Sequence, residues 1–369
     1  MRTPRNGSGV LVGTGGLGTG IFFALEGDET VGREESRGGY LLDSRDYGKL
    51  HIVCHYVSAL LSDDFLVVPV GRVGQDPAGQ SVRRDLQDAG VATSHVSVDQ
   101  TRPTMFSVCF TYPSGEGGNL TALNSASSEV SAADIEAARP LFHRFRGRGI
   151  ALAVPEVPMA ARDTLLRQAA EHEFLRIGSF VTAELRTGAA GELLSLLDVL
   201  AINKDEAAAL AGCDPAASPA SVVEAAAGVV RSTYPQLSLV VTVGPDGSWV
   251  WDGRELIRDP GIETHSRNAA GAGDAHLGGV IAGLAAGVGL AEANCFATIV
   301  SALKVRSPDT ISSDLDVAAV MAAAAAAGRT IPGPLLRRLR HARADGHIPG
   351  DGRIPDVSQS QAEAGDSRQ

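Results

Sequence analysis

The sequence predicts an α/β fold built on a mostly parallel central sheet with helices on both faces. From residue 150 onward short apolar segments recur at 150–154, 174–177, 199–202 and 239–243, separated by helical patterns. Alternation of that kind is what successive βαβ units produce. Aromatic residues make up only 5% of the chain while Ala, Val, Leu and Gly abound, which suits helices packed closely on a parallel sheet. With 369 residues, 44% hydrophobic and 20% charged, the chain is globular and long enough for one large core or two smaller ones.

Each element can be justified in order. Residues 10–12 form a short apolar strand that runs into Gly13-Thr14-Gly15-Gly16-Leu17-Gly18, a literal match to the dinucleotide fingerprint. That fingerprint requires a helix directly after the glycines and an acidic residue about twenty positions on. Here only 21–25 is apolar and 27–39 is polar and glycine-rich. The glycines are therefore read as a strand end at the floor of a substrate cleft, with a nicotinamide oxidoreductase as a minor reading. Residues 49–61 read as a helix with His51 and His55 on one face. Without a neighbouring glutamate or a third ligand, they are read as cleft or surface residues rather than a metal pair. A strand at 65–70, a break at 71–79 and a helix at 80–89 ended by Gly90 follow.

Residues 105–112 alternate in β fashion and, with the polar segment 28–40, are expected to form a small second sheet over the main one. Residues 290–305 and 315–327 read as closing helices, after which proline, glycine and charge dominate. The organisation expected is a flexible start over 1–9, one domain over 10–328 with a lid from about 27–48 and 98–122, and a disordered tail over 329–369. Within that tail, Arg337-Arg338-Leu339-Arg340-His341 reads as a solvated basic turn.

A net charge of −11 argues against a nucleic-acid footprint. Cys54, Cys109, Cys213 and Cys295 lie far apart without a Cys-x-x-Cys pair, so neither a disulfide scaffold nor a zinc knuckle is suggested. Residues 1–8 lack an apolar stretch of signal-peptide length and no apolar run is long enough to span a bilayer. A cytoplasmic enzyme without a membrane partner is expected.

Chemistry gathers in three segments. Asn268-Ala269-Ala270-Gly271-Ala272-Gly273-Asp274 puts small residues where backbone must approach a ligand, then a carboxylate. A helical pattern follows at 275–286, so Gly271 to Asp274 would sit at a helix N-terminus, where free N–H groups and the dipole favour an anion. Asp274 could take a proton from a hydroxyl held beside that anion, although a tight turn with Asp274 as N-cap accounts for the same residues. Asn203-Lys204-Asp205-Glu206 leaves strand 199–202 at the edge where open α/β sheets bind ligands. Asn203 and Glu206 suit water-mediated magnesium, or a helix cap. Thr242-Val243-Gly244-Pro245-Asp246-Gly247 leaves the next strand and can hold a nucleotide phosphate or ribose, or form a hairpin turn.

Taken in chain order, the three segments resemble the ribokinase/phosphofructokinase-B (PfkB) family of carbohydrate kinases. Asn203-x-x-Glu206 is similar to the family's magnesium motif, Thr242-x-Gly244-x-x-Gly247 to its nucleotide loop, and Asn268 to Asp274 to its Asp-Thr-x-Gly-Ala-Gly-Asp signature. Upstream, Gly38-Gly39 resembles its N-terminal Gly-Gly, and Val73-Gly74-x-Asp76-x-x-Gly79 through Leu86-x-x-x-Gly90-Val91 resembles the block after it. The resemblance spans roughly residues 10–327, and the co-linear set is more specific than any member. It implies a ribokinase-like αβα sandwich with a small β lid, and phosphoryl transfer from ATP to a hydroxyl. By position, Asp274 is the base, the backbone of Ala270, Gly271, Ala272 and Gly273 the anion hole, and Thr242, Gly244 and Gly247 the nucleotide loop. Asn203 and Glu206 hold Mg2+ through water.

The expected partner is a small polyol such as a sugar, cyclitol or nucleoside. A nucleoside or vitamin-precursor kinase is the nearest alternative, and an inactive kinase fold used for binding is a different class. A β lid with an open edge suggests a homodimer. The chain departs from the signature at Asn268, where the family's Asp helps hold a monovalent cation, at Ala269, which lacks the Thr hydroxyl, and at His276, where Phe is common. These departures weaken the expectation of a monovalent cation. No acid occupies 15–20, and a longer polar segment follows Gly39. Gly38, Gly39, Asp43, Arg45 and Lys49 are expected to read the acceptor, an unusual polyol for which an anionic group is one option, while charges on the lid surface account equally for Asp43, Arg45 and Lys49.

Overall fold

The strands run in chain order β1 (Val10–Thr14), β2 (Gly18–Leu25), β3 (Gly39–Tyr47), β4 (Leu66–Gly74), β5 (Val96–Asp99), β6 (Met105–Thr111), β7 (Gly117–Thr121), β8 (Gly149–Ala153), β9 (Leu175–Gly178), β10 (Val199–Asn203), β11 (Ser238–Thr242), β12 (Ser248–Trp251) and β13 (Leu256–Asp259). All of β1 is buried, and its side chains divide between two cores, Leu11 in one and Val10 and Val12 in the other. A strand buried on both faces must carry helices on both. In this computed structural model, which describes residues 9–114, 117–312 and 314–339, they are present. Helices Lys49–Leu60, Pro77–Asp88, Ala272–Ala285 and Leu290–Lys304 pack on the Leu11 side, and Met159–Glu171, Lys204–Ala211 and Pro219–Thr233 on the other.

Among the described residues the main sheet has nine strands in the order β13-β12-β11-β10-β9-β8-β1-β4-β5. It is parallel from β5 through β11, with β12 and β13 added antiparallel at one edge. The order reverses between β1 and β8: the chain builds outward through β4 and β5 on one side and through β9 to β11 on the other. A crevice opens at such a switch point, outside the carboxyl ends of the strands. The αβα sandwich with a second small sheet predicted from the sequence is what the structure shows.

That second sheet has the order β3-β2-β6-β7, with β2 and β6 parallel and the other pairs antiparallel. It bears on several expectations. The 13–18 glycines lead directly into strand β2, with no helix between, so the dinucleotide fingerprint is accidental. Segment 28–38 contributes only the loop between β2 and β3, and the paired strand begins at Gly39. The expected tail starts too early. Arg329 pairs with Asp259 at 2.8 Å, Leu335 is buried, and Leu339 bridges to Leu61. Arg338 likewise pairs with Asp64 rather than standing in solvent. The remainder of that tail call, 340–369, and residues 1–8 of the expected flexible start lie outside the described residues, whereas Gly9 is buried and accepts a hydrogen bond from Leu66 N. His51 is neither a cleft nor a surface residue. It is fully buried, its ring 4.4 Å from that of Tyr47.

The helix that matters most for the cleft is Ala272–Ala285. It is hydrophobic all round and buried from Ala275 to Ala285, which marks a helix surrounded by protein. Glycines let its neighbours approach: a Cβ on Gly279 would meet Ala297 Cα at 2.7 Å, and one on Gly283 would meet Ala293 Cβ at 2.6 Å. Each glycine costs roughly 1 kcal/mol of helix propensity. Close packing against Leu290–Lys304 offsets that cost and holds the helix N-terminus still.

Candidate active site

A cleft of about 700 Å³ opens along the carboxyl ends of the main-sheet strands. The Ala272–Ala285 helix supplies its floor, beginning after Gly271 at φ 78°. That left-handed angle suits glycine, and a Cβ there would lie 2.8 Å from Thr310 O. Ala272 N donates to Ala269 O at 3.1 Å and Ala270 N to Asn268 Oδ1 at 2.9 Å. Those two N–H groups are engaged within the loop. Gly271, Gly273 and Asp274 remain as the cleft-lining residues of the turn with N–H groups to offer.

Thr242 and Gly273 belong to different motifs but meet, since a Cβ on Gly273 would sit 3.9 Å from Thr242 Oγ1. Gly244 and Gly247 line the same cleft, and Gly247 at φ 94° leaves no room for a Cβ against Asp259 O at 2.2 Å. Asn203 and Glu206 form a capping box, with Glu206 N donating to Asn203 Oδ1 at 2.9 Å and Asn203 N to Glu206 Oε2 at 2.8 Å. The cap does not take Glu206 out of the cleft. Oε2 is used by the cap, while Glu206 is also a lining residue, only 8% exposed. Burial pushes its carboxyl up, against the pull of the Lys49 ammonium.

Lys49 stands at the centre. Its Nζ is 3.1 Å from Asp274 Oδ1 and donates to Ser179 Oγ at 3.3 Å. Burial works against its charge, but Asp274, Glu206 and Glu156 around it prevail and hold the ammonium above its ordinary range. Sequence reasoning picked Lys49 as an acceptor-reading residue, and the structure makes it the partner of Asp274.

The other residues expected to read the acceptor are not brought here. Gly38 and Gly39 lie at the far end of the second sheet, where Gly39 pairs with Leu25, while Tyr47 near the cleft pairs with Thr19. Asp43 is exposed. Arg45 is exposed too, and its backbone is what matters locally: its N donates to Asp309 Oδ1 at 2.8 Å and its O accepts from Thr310 N at 3.2 Å. The glycine that approaches closely is Gly48, where a Cβ would meet Gly16 O at 2.4 Å.

Glu156 was missed. It follows β8 across the switch point from Gly16, and a Cβ on Gly16 would lie 2.1 Å from its Oε2. Its φ of 76° is left-handed, strain of a kind that collects at functional sites. Glu156 Oε2 accepts from Lys49 N at 3.3 Å. Burial pushes its carboxyl up to about 7, against Lys49 and with help from Asp274 and Asp46. Asp46 is also buried, accepting from Ser107 Oγ at 2.6 Å and Cys109 Sγ at 3.2 Å, and burial raises its pKa. One signal for Glu156 was available: a charged residue just past a proline at an apolar strand end.

Several solved structures share this fold. The chain is similar to ribokinase from Giardia lamblia (17% identity, TM-score 0.72, covering 85% of this chain and 99% of that one). It is similar to ribokinase from Cryptococcus neoformans var. grubii serotype A in complex with ADP (20%, 0.69, 86% and 99%). It is also similar to a Burkholderia thailandensis nucleoside kinase in complex with inosine (17%, 0.68, 88% and 100%). No curated protein matches in sequence. These likenesses show a ribokinase-like fold. The pattern of the pfkB family carbohydrate kinases matches residues 53–317, and the chain belongs to that family.

Proposed function

We propose that the protein is an ATP-dependent kinase that transfers the γ-phosphate to a hydroxyl of a small polyol, with Asp274 as general base. One observation carries this reading. Asp274 stands in the first turn of a buried helix, in one cleft with Thr242, Gly247 and Glu206, and 3.1 Å from a lysine. Such a helix start stabilises phosphate charge, and phosphoryl transfer depends chiefly on positioning and charge neutralisation. The N–H groups of Gly271 and Gly273 would face the transferred phosphoryl. Asp274 would accept the acceptor's proton, and Lys49 would hold Asp274 in place and offset the developing charge. Ile262, Leu277 and Val305 give the cleft an apolar end suited to a nucleotide base.

Magnesium fits this donor set as a phosphate-borne ion. Glu206 and Asn203 would touch it through water, and among the described residues no group of three or more His, Cys, Asp or Glu side chains forms a cage of its own. When bound, it neutralises phosphate charge.

The acceptor end speaks against the anionic polyol expected from the sequence. The charge of Asp274 raises the cost of ionising Asp46 and Glu156, and that of Asp46 adds to it at Glu156, with Lys49 as the cation among them. A neutral or cationic polyol suits that field. The similarity to a nucleoside kinase in complex with inosine favours a nucleoside as the second reading. A coupled ADP-release screen over neutral sugars, amino sugars, acidic sugars and nucleosides tests both, with Asp274→Asn as the blank. Absence of release with every acceptor, or release that survives in the blank, would overturn the assignment.

Two further expectations attach here. Gly271→Ala should weaken ADP binding about tenfold by calorimetry, since the left-handed angle and the Thr310 contact together cost ~1–3 kcal/mol. The second sheet and the loop after it expose Tyr40, Leu41, Leu120 and Leu123, at 65%, 63%, 69% and 86%. Pairing of two copies through this lid would cover them, and Leu41→Lys should then shift the mass seen by light scattering from dimer to monomer. Among the described residues no helix is long and apolar enough to cross a membrane. A cytoplasmic site of action, where ATP is at hand, completes the reading.

A further inference from the structure

The reverse side of the 268–271 loop holds a second lysine that the reading above does not use. Lys304, the last residue of its helix, is fully buried, and its Nζ donates to Asn268 O at 2.7 Å. The loop is tied to the same helix end from several sides. Arg267 N and Asn268 N donate to Val305 O at 2.7 and 3.2 Å, and Asn268 Nδ2 donates to Pro308 O at 2.6 Å. When a loop turns N–H groups toward an anion, carbonyls turn the other way. Asn268 O does so, and an ammonium meets it.

A buried ammonium is costly unless something answers its charge. No carboxylate lies within ion-pair distance of Lys304 among the described residues, and Asp309, Asp274 and Asp46 feel its charge from farther off. Burial lowers its pKa to about 8, so the group keeps its proton at neutral pH. Residue 268 is an amide, so the positive charge behind the loop is not cancelled there. An anion on the cleft side of the loop is the natural counter-charge.

We propose that Lys304 is a built-in cation of the anion hole: its ammonium holds the Asn268 carbonyl, supplies positive charge behind the transferred phosphoryl, and makes phosphoryl transfer independent of free monovalent cations. Lys304 is thus a positioning residue, acting through the loop. The inference rests on the phosphotransferase reading for its kinetic test but not for its structural one.

With the acceptor found by the screen, wild-type kcat should agree within about twofold in sodium, potassium and tetramethylammonium buffers of equal ionic strength. Lys304→Ala should lower kcat about 100-fold with ADP affinity changed only a few fold, and ammonium or methylammonium should restore tenfold or more where tetramethylammonium does not. Lys304→Met, which fills the space without charge, should be as slow and resist rescue. Severalfold potassium activation of the wild type, wild-type turnover by Lys304→Met, or no rescue of a folded Lys304→Ala would overturn the proposal. Thallium-soaked crystals decide it without turnover. A thallium ion beside Asn268 O in the wild type refutes a built-in cation, whereas thallium there only in Lys304→Ala supports it. If no acceptor is ever phosphorylated, the kinase reading falls and the thallium result still stands.

Discussion

Asp274→Asn is expected to lower kcat by about 10³-fold while leaving ADP affinity within a few fold of wild type. A positioned general base contributes typically 10²–10⁴-fold. The amide keeps the shape of the side chain and its place in the first helical turn but cannot take the acceptor's proton. The substitution also removes the carboxylate 3.1 Å from Lys49 Nζ. Breaking a fully buried pair would cost several kcal/mol. These side chains are 26% and 15% exposed, and Glu206 and Glu156 remain near the ammonium, so the loss of stability should be smaller. Unfolding curves must accompany the kinetics for that reason. A folded variant with wild-type turnover would remove Asp274 from the chemistry and leave it as a partner of Lys49.

Much of the site was legible because its motifs sit where strands end. Each of the 203–206, 242–247 and 268–274 segments joins small or polar residues to a strand end or a helix start, and that junction is what makes a sheet edge chemically useful. Asp76 shows the limit of motif reading. It matches a family block, yet its work is structural: it caps the Pro77–Asp88 helix through Gly79 N at 2.7 Å and binds Thr104 N at 2.7 Å. The second sheet was harder to see. Strand β3 is exposed along most of its length and β2 is half-buried, so neither carries clean alternation. Gly38-Gly39 was read into the acceptor site by its resemblance to the family's Gly-Gly, while Gly48, which packs closely on Gly16, stood unmarked. The Lys49–Asp274 and Lys304–Asn268 contacts join residues from different elements, and no local pattern announces them.

Glu156→Gln should move stability and activity in opposite directions. The native carboxyl titrates near 7 against an ordinary value of 4.5, because burial disfavours its charge. Below 4.5 both folded and unfolded chains hold the proton, and the group's stabilising contribution is fully present. As pH rises toward 7 the unfolded chain releases the proton first, so that contribution is progressively lost and is gone above the folded pKa. At pH 8 the wild type therefore carries a penalty on the order of 3 kcal/mol that a neutral amide avoids. Gln keeps an oxygen to accept from Lys49 N, so the local hydrogen bond survives. Thermal melts should show Glu156→Gln a few degrees more stable than wild type at pH 8, with the difference vanishing near pH 4.5. The acceptor KM should meanwhile rise tenfold or more, because a carboxylate at the switch point accepts an acceptor hydroxyl more strongly than an amide does. A merely structural strut would lose stability on substitution and leave KM alone. Gain of stability together with loss of acceptor binding is the signature of a charge kept, against its own burial, for a ligand.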